Sequence, residues 1–151
     1  MDTDRLMEFL TQEGFRPTLA ARGEVRFKYE GGNYTIRVLP DDDHYVSISY
    51  PDFWELRSPD ETIRALRAAN QAAQLTKVAK IHVLETRHNV WAEAELLFEG
   101  AEQFKALFPR SLSIIKAGVG RFVELMRKSE PLPDKRIALA REDITRWMRE
   151  N

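Results

Sequence analysis

The feature that most constrains the fold is a change of hydrophobic period after the first dozen residues. Val25, Phe27 and Tyr29 alternate with Glu24, Arg26, Lys28 and Glu30, and Tyr34, Ile36 and Val38 alternate with Thr35 and Arg37. Period-two alternation sends successive side chains to opposite faces of a strand, so each run makes one apolar and one polar face. Gly31-Gly32-Asn33 lies between the two runs, and a Gly-rich break of that kind predicts a hairpin. Pro40 and Asp41-Asp42-Asp43 mark a further turn before Tyr45-Val46-Ser47-Ile48-Ser49-Tyr50, while Phe15 to Ala21 is a weaker strand ended by Arg22-Gly23. The segment as a whole predicts an antiparallel meander.

Helical patterns flank and interrupt it. Leu6, Phe9 and Leu10 share one helical face over Asp2 to Glu13, with Asp2 or Thr3 as N-cap and Gly14 as the residue after the helix. Ser58-Pro59-Asp60-Glu61 opens a second helix with a capping residue, a proline at the first turn and an acid three positions on. Its predicted face is Ile63, Leu66, Asn70 and Ala73, and its predicted end is near Gln74. A second hairpin follows, Val78 to Leu84 and Val90 to Phe98, joined by Thr86-Arg87-His88-Asn89. Phe104, Leu107, Phe108, Leu112, Ile115, Val119, Phe122, Val123 and Met126 then predict a long helix. Pro109 predicts a kink or a fresh start inside it, and Gly118 and Gly120 weaken it but permit close packing. Beyond Pro131 and Pro133, Ile137, Ala140, Ile144, Trp147 and Met148 suggest a C-terminal amphipathic helix. The order α-β-β-β(-β)-α-β-β-α plus a C-terminal helix is an α+β class with an antiparallel sheet flanked by helices. It divides into a domain over residues 1–129 and a Pro-containing linker with its helix over 130–151.

Composition narrows the chemistry. The chain has 151 residues and no cysteine, which excludes disulfides, thiolate metal sites and cysteine nucleophiles. With 23 basic and 24 acidic side chains the formal net charge is −1, unsuited to binding nucleic acid by bulk phosphate neutralisation. No apolar run is long enough to span a membrane, and Met-Asp-Thr-Asp lacks the pattern of a signal peptide. The expected compartment is the cytoplasm.

Motifs for catalysis are sparse. His82 and His88 bracket a hairpin turn, and His44 adjoins the Asp41 to Asp43 run. No His-x-x-x-His spacing gathers these histidines, so they read as surface residues and the aspartates as a solvated turn. Ser47, Ser49, Ser58, Ser111 and Ser113 lie outside any G-x-S-x-G elbow, and no phosphate-binding glycine loop is present. Glu93 and Glu95 point to one side of a strand, a spacing that would suit acid/base work in a cleft but is ordinary on a wet strand face. Arg26, Lys28 and Arg37 share a sheet face, with Trp91 on a later strand, a mix that can stack on single strands. Glu24, Glu30, Glu93 and Glu95 make the same surface mixed in sign. Pro51-Asp52-Phe53-Trp54-Glu55-Leu56 reads as a short irregular stretch, either packed or anchoring a partner. Trp147 and Met148 pose the same choice on a helix that needs something to cover it.

Several stretches resemble the YbjN-like family of bacterial sensory transduction regulators. They are Leu10-x-x-x-Gly14-Phe15, the hairpin Phe27 to Ile36, the strand Tyr45 to Ile48, and the helix ending Ala69-Asn70. Lys77-Val78-Ala79-Lys80 and Val90-Trp91-Ala92-Glu93-Ala94-Glu95-Leu96 complete the set, and together they cover about residues 2 to 128. The resemblance implies the fold of type III secretion chaperones, frequent dimers and no catalytic residues. In those chaperones the sheet and adjacent grooves hold an extended segment, although they are markedly acidic and this chain is not. The expectation is therefore a non-enzymatic cytoplasmic module, chaperone-like or regulatory, that binds a protein or peptide. It takes no cofactor or metal, engages neither nucleic acid nor membrane, and forms a homodimer. Its candidate partner-binding residues are Phe53, Trp54, Trp91, Trp147 and Met148. The alternative is a ligand-binding protein or enzyme with a pocket between sheet and helices, using Glu93 and Glu95.

Overall fold

Alternation in the strands decides where everything else packs. The structure is a computed structural model and describes residues 1–131, 142, 143, 145–147 and 149. The described residues form α1 (Thr3–Gln12), β1 (Thr18–Leu19), β2 (Glu24–Tyr29), β3 (Gly32–Leu39), β4 (Asp42–Glu55), α2 (Pro59–Leu75), β5 (Ala79–Leu84), β6 (Asn89–Leu97) and α3 (Ala101–Lys128). The strands make one sheet in the order β1-β2-β3-β4-β6-β5, every neighbouring pair antiparallel. The α+β class and the order of elements agree with the sequence reading.

All three helices lie on one face. Leu6, Phe9 and Leu10 of α1 and Phe104, Phe108, Leu112 and Ile115 of α3 share a buried cluster with Val25, Phe27, Ile36, Val46, Ile48, Ala92 and Ala94. Phe9 meets Phe104 and Phe108 edge-on, both at 5.3 Å between ring centroids. A second cluster joins α2 to the far end of α3 through Ala65, Ala68, Ala69, Ala72, Phe122 and Met126. The buried face of α2 is thus an alanine stripe with Ile63, and Asn70 is exposed. That departs from the predicted Leu66–Asn70 face because small side chains let α3 come close, and Leu66 falls at the edge of the contact.

Local signals explain most boundaries. Asp2 caps α1 by accepting from the Arg5 backbone at 2.8 Å, and Ser58 caps α2 by accepting from the Glu61 backbone at 3.1 Å. The first hairpin turns one position earlier than expected: Glu30 and Gly31 both take positive φ (45° and 81°), as a two-residue turn matched to strand twist requires. Gly32 then starts β3, where a Cβ would meet the stacked Tyr34 and Tyr50 rings at 3.0 Å. β4 runs through Pro51 to Glu55 where an irregular stretch was expected. A register shift between Tyr50 and Trp54, with Asp52 at φ 52°, absorbs the proline and keeps the pairing with β6. The weaker first strand shrinks to Thr18–Leu19.

α3 continues through Pro109 with no second helix starting there. Pro109 and Lys105 are both exposed, so the proline and the hydrogen bond it removes lie on the outer side of the helix, away from the packed stripe. Gly118 is buried, with Ile81, Ala79 and Thr76 all within 3.6 Å of where its Cβ would stand, whereas Gly120 has open space. Of the C-terminal helix positions, Trp147 is helical and exposed, while Ile137, Ala140, Ile144 and Met148 lie outside the described residues. Most of the 130–151 segment therefore has no structural account.

Phe122 is fully buried and sits edge-on to both Phe53 and Trp54, at 5.4 and 5.8 Å. Phe122→Ala is expected to destabilise the fold by about 3–5 kcal/mol in denaturant melts. A loss below about 1 kcal/mol would mean that the second cluster is loosely held.

Candidate functional site

With the helices on one face, the other face of the sheet is open and concave. It forms a groove of about 1390 Å3 bounded by β2 on one side and by β6 and β5 on the other. Strand register lines up its rows. One reads Thr18, Arg26, Thr35, Ser49, Glu93 and Lys80 across the sheet, and the next reads Glu24, Arg37, Ser47 and Glu95. The two central strands contribute short side chains, Thr35, Ser47 and Ser49, and the serines are buried under their longer neighbours.

Glu93 anchors the middle. His82 Nε2 donates to its Oε2 at 3.0 Å, and Ser47 Oγ donates to its Oε1 at 2.5 Å. The His82 hydrogen bond, aided by Ser47 and by the charges of His82 and Arg37, outweighs partial burial and brings the carboxyl down to about 2. Beside it, Glu95 accepts from Tyr45 at 2.8 Å and pairs with Lys80, and the Lys80 bond leads in holding its carboxyl low. Burial first, then the bond to Glu95, pushes the Tyr45 phenol up to about 12.

Trp91 stands on the β6 wall. Its Nε1 donates to Asp52 Oδ1 at 3.0 Å, and the Arg87 guanidinium lies 5.5 Å from the ring centroid. Asn89 donates to the same Asp52 oxygen. The left-handed bulge residue at Asp52 is thus what orients the indole.

These geometries bear on chemistry. In the Ser47–Glu93–His82 hydrogen-bonded chain the carboxylate stands between the hydroxyl and the imidazole, and both donate to it, so the imidazole is not placed to take the Ser47 proton. Glu93 and Glu95 are both ionised near neutral pH, so neither can donate a proton as the acid partner of a carboxylate pair must. Both point away from the helices, and the interval between sheet and helices, expected as the alternative pocket, is filled by the apolar cluster. Among the described residues, no group of three or more His, Asp or Glu is placed to hold a metal ion. His44 Nδ1 donates to the Phe98 carbonyl at 2.9 Å, and His88 is an exposed left-handed turn residue, so neither joins His82.

The expected partner residues do not gather. Phe53 and Trp54 are half-buried against Phe122, and Trp54 Nε1 donates to Glu61 at 2.9 Å. Trp91 faces the open groove, Trp147 is 65% exposed, and Met148 lies outside the described residues. Arg26, Lys28 and Arg37 do share the open face with Trp91, together with Glu24 and Glu93, while Glu30 sits at the hairpin tip and pairs with Lys116. Sequence reasoning missed Thr35, Asp52 and Arg87, and it set Ser47 and Ser49 aside once no nucleophile motif enclosed them. The signal for the serines was present: two short hydroxyls at outward-facing positions of a central strand.

The solved structure of YbjN, "a putative transcription regulator from E. coli", superposes with a TM-score of 0.63 at 14% identity, covering 88% of this chain and 97% of that one. Its fold is that of YbjN. An uncharacterized protein from Methanothermobacter thermautotrophicus shares it, with a TM-score of 0.60 at 12% identity over 85% of this chain and 98% of the other. No family model matches the sequence, and no curated protein does. The likeness bears out the resemblance to YbjN at the level of the fold. On this YbjN fold the second hairpin carries Glu93, Glu95 and Trp91, and the meander carries the basic residues that face them.

Glu93 also sets an acid limit. Its folded-state pKa, about 2, lies below the ordinary 4.5, so its ionised form stabilises the fold fully above pH 4.5 and that contribution drains as pH falls toward 2. The shift bounds the contribution at about 3 kcal/mol. Glu93→Gln is expected to flatten the fall of unfolding free energy across that window, measured by urea melts at a series of pH values. An unchanged slope would show that Glu93 titrates alike in folded and unfolded chains.

Proposed function

We propose that the chain is a non-enzymatic cytoplasmic interaction module, regulatory or chaperone-like, that binds a protein or peptide segment on the open face of the sheet. The observation that carries this reading is a groove of about 1390 Å3 on the sheet face turned away from α1, α2 and α3. Small-molecule sites span roughly 300–1,000 Å3, so a chain segment matches this one better than a metabolite. The low floor of Thr35, Ser47 and Ser49 leaves room above the central strands, and the ionised Glu93 and Glu95 support binding over acid/base chemistry. Similarity to a protein described as a regulator supports the same class. No helix among the described residues is long and apolar enough to cross a membrane.

A photo-crosslinking residue placed at Thr35 is expected to capture a partner in native lysate, while one at exposed Gln71 on α2 is not. Capture from Gln71 alone would move the interface to the helical face and overturn the reading.

A specific observation also favours self-association. Leu75 and Val78 are 62% and 60% exposed beside the start of β5, the edge strand of the sheet. An edge strand offers unpaired backbone groups, and two-fold pairing lets one patch serve both copies. We propose a homodimer on this basis. Light scattering of the full chain is expected to give twice the chain mass, and a chain ending at Ser129 shows whether the tail contributes. A full-length monomer across micromolar concentrations would overturn the dimer.

A further inference from the structure

We propose that the groove binds an acidic peptide segment in extended conformation, its carboxylates drawn to a wall formed by Arg16, Arg26 and Lys28. The inference rests on the groove reading above and adds the chemistry of the occupant. Arg26 and Lys28 project from β2 and Arg16 from the chain just before β1, so the three flank one side of the floor. None of their side chains has a hydrogen bond or ion pair with a described residue. The carboxylates opposite are committed: Glu93 to His82 and Ser47, Asp52 to Trp91 and Asn89. Glu24 is the one carboxylate lining the groove without a side-chain partner among the described residues, against three such cations, so the spare charge of the face is positive, on a chain whose formal net charge is −1.

Arg87 adds a fourth point on the other wall. Its guanidinium rests over the Trp91 ring and makes no ion pair with a described residue, so its N–H fork is free to take a carboxylate in bidentate fashion. Between the walls lie three strand spacings, from β2 to β6, about 14 Å at 4.8 Å each. That width admits one extended chain above Thr35 and Ser49, with side chains reaching both walls. Peptide is favoured over single-stranded nucleic acid because binders of the latter line their track with several stacking rings. Here Tyr45 is tied to Glu95, while Phe15, Phe27 and Tyr34 pack on one another and on Phe108 of α3, so Trp91 is the platform on this face, with the side chains of Glu93 and Asp52 beside it.

The test presents the full chain to an array of short immobilised peptides graded from acidic through apolar to basic, with a short oligothymidylate as a parallel probe. Capture is expected to rise with Asp and Glu content, to fall with added salt, and to weaken roughly tenfold in the Arg26→Gln/Lys28→Gln double variant. Lys105→Gln, on α3 behind the sheet, is expected to bind like the parent chain. Both substituted groove residues are exposed, so the double variant is expected to keep the parent's melting midpoint. A preference for apolar or basic peptides that Thr35→Trp abolishes would overturn the acidic chemistry and leave the groove reading standing. Capture of no peptide, or capture indifferent to Thr35→Trp, would overturn both. Tighter binding of oligothymidylate, weakened by the double variant, would make nucleic acid the occupant and overturn the peptide.

Discussion

Everything in this molecule depends on the sheet being buried on one side only. Val25, Phe27, Ile36, Val46, Ile48, Ala92 and Ala94 face the helices and lose nearly all solvent exposure, while the residues between them face away. Apolar burial of that size is the dominant favourable contribution to a small domain. Because α1, α2 and α3 all draw on the same face, none of the three covers the other. An antiparallel sheet tolerates this arrangement when its second face is polar.

A polar open face still has to satisfy its own charges. Here it does so unevenly. The β6 side is knitted by His82, Ser47, Tyr45 and Lys80 onto two glutamates, and by Asp52 onto Trp91. The β2 side is left with cations that have no such partners. The paired half gives the groove a fixed wall, and the unpaired half gives it a charge to offer. Fixing one wall in advance lowers the ordering cost that a bound segment would otherwise meet.

Much of the frame was legible in the residues. The alternation of Val25 to Val38 announced the first hairpin, Ser58-Pro59 announced α2, and the Phe104 to Met126 stripe announced α3, because each signal is local. The errors were tertiary in origin. Pro51 looked like the end of a strand, yet the left-handed turn at Asp52 lets β4 pass it and resume pairing with β6. Pro109 looked like a break, yet it lies on the exposed side of α3 and the helix runs through it. Leu66 and Asn70 looked like a helix face, but contact with α3 selected the alanines beside them. Glu93 and Glu95 were seen as a pair, whereas their partners Ser47, His82, Tyr45 and Lys80 come from β4 and β5 and become neighbours only across the sheet.

The sequence by itself determined the class of fold, the sidedness of each strand and the absence of thiol chemistry, since these follow from period, capping and residue type. It also determined that Arg26, Lys28 and Arg37 lie on the wet side. Only the tertiary structure decided that α1, α2 and α3 cover one face, that the bulge at Asp52 aims Trp91 into the groove, and which charges there are paired. The physical reason is distance along the chain. Alternation fixes a side chain's direction within its own strand, but whether a charge finds a partner depends on the register of strands dozens of residues apart.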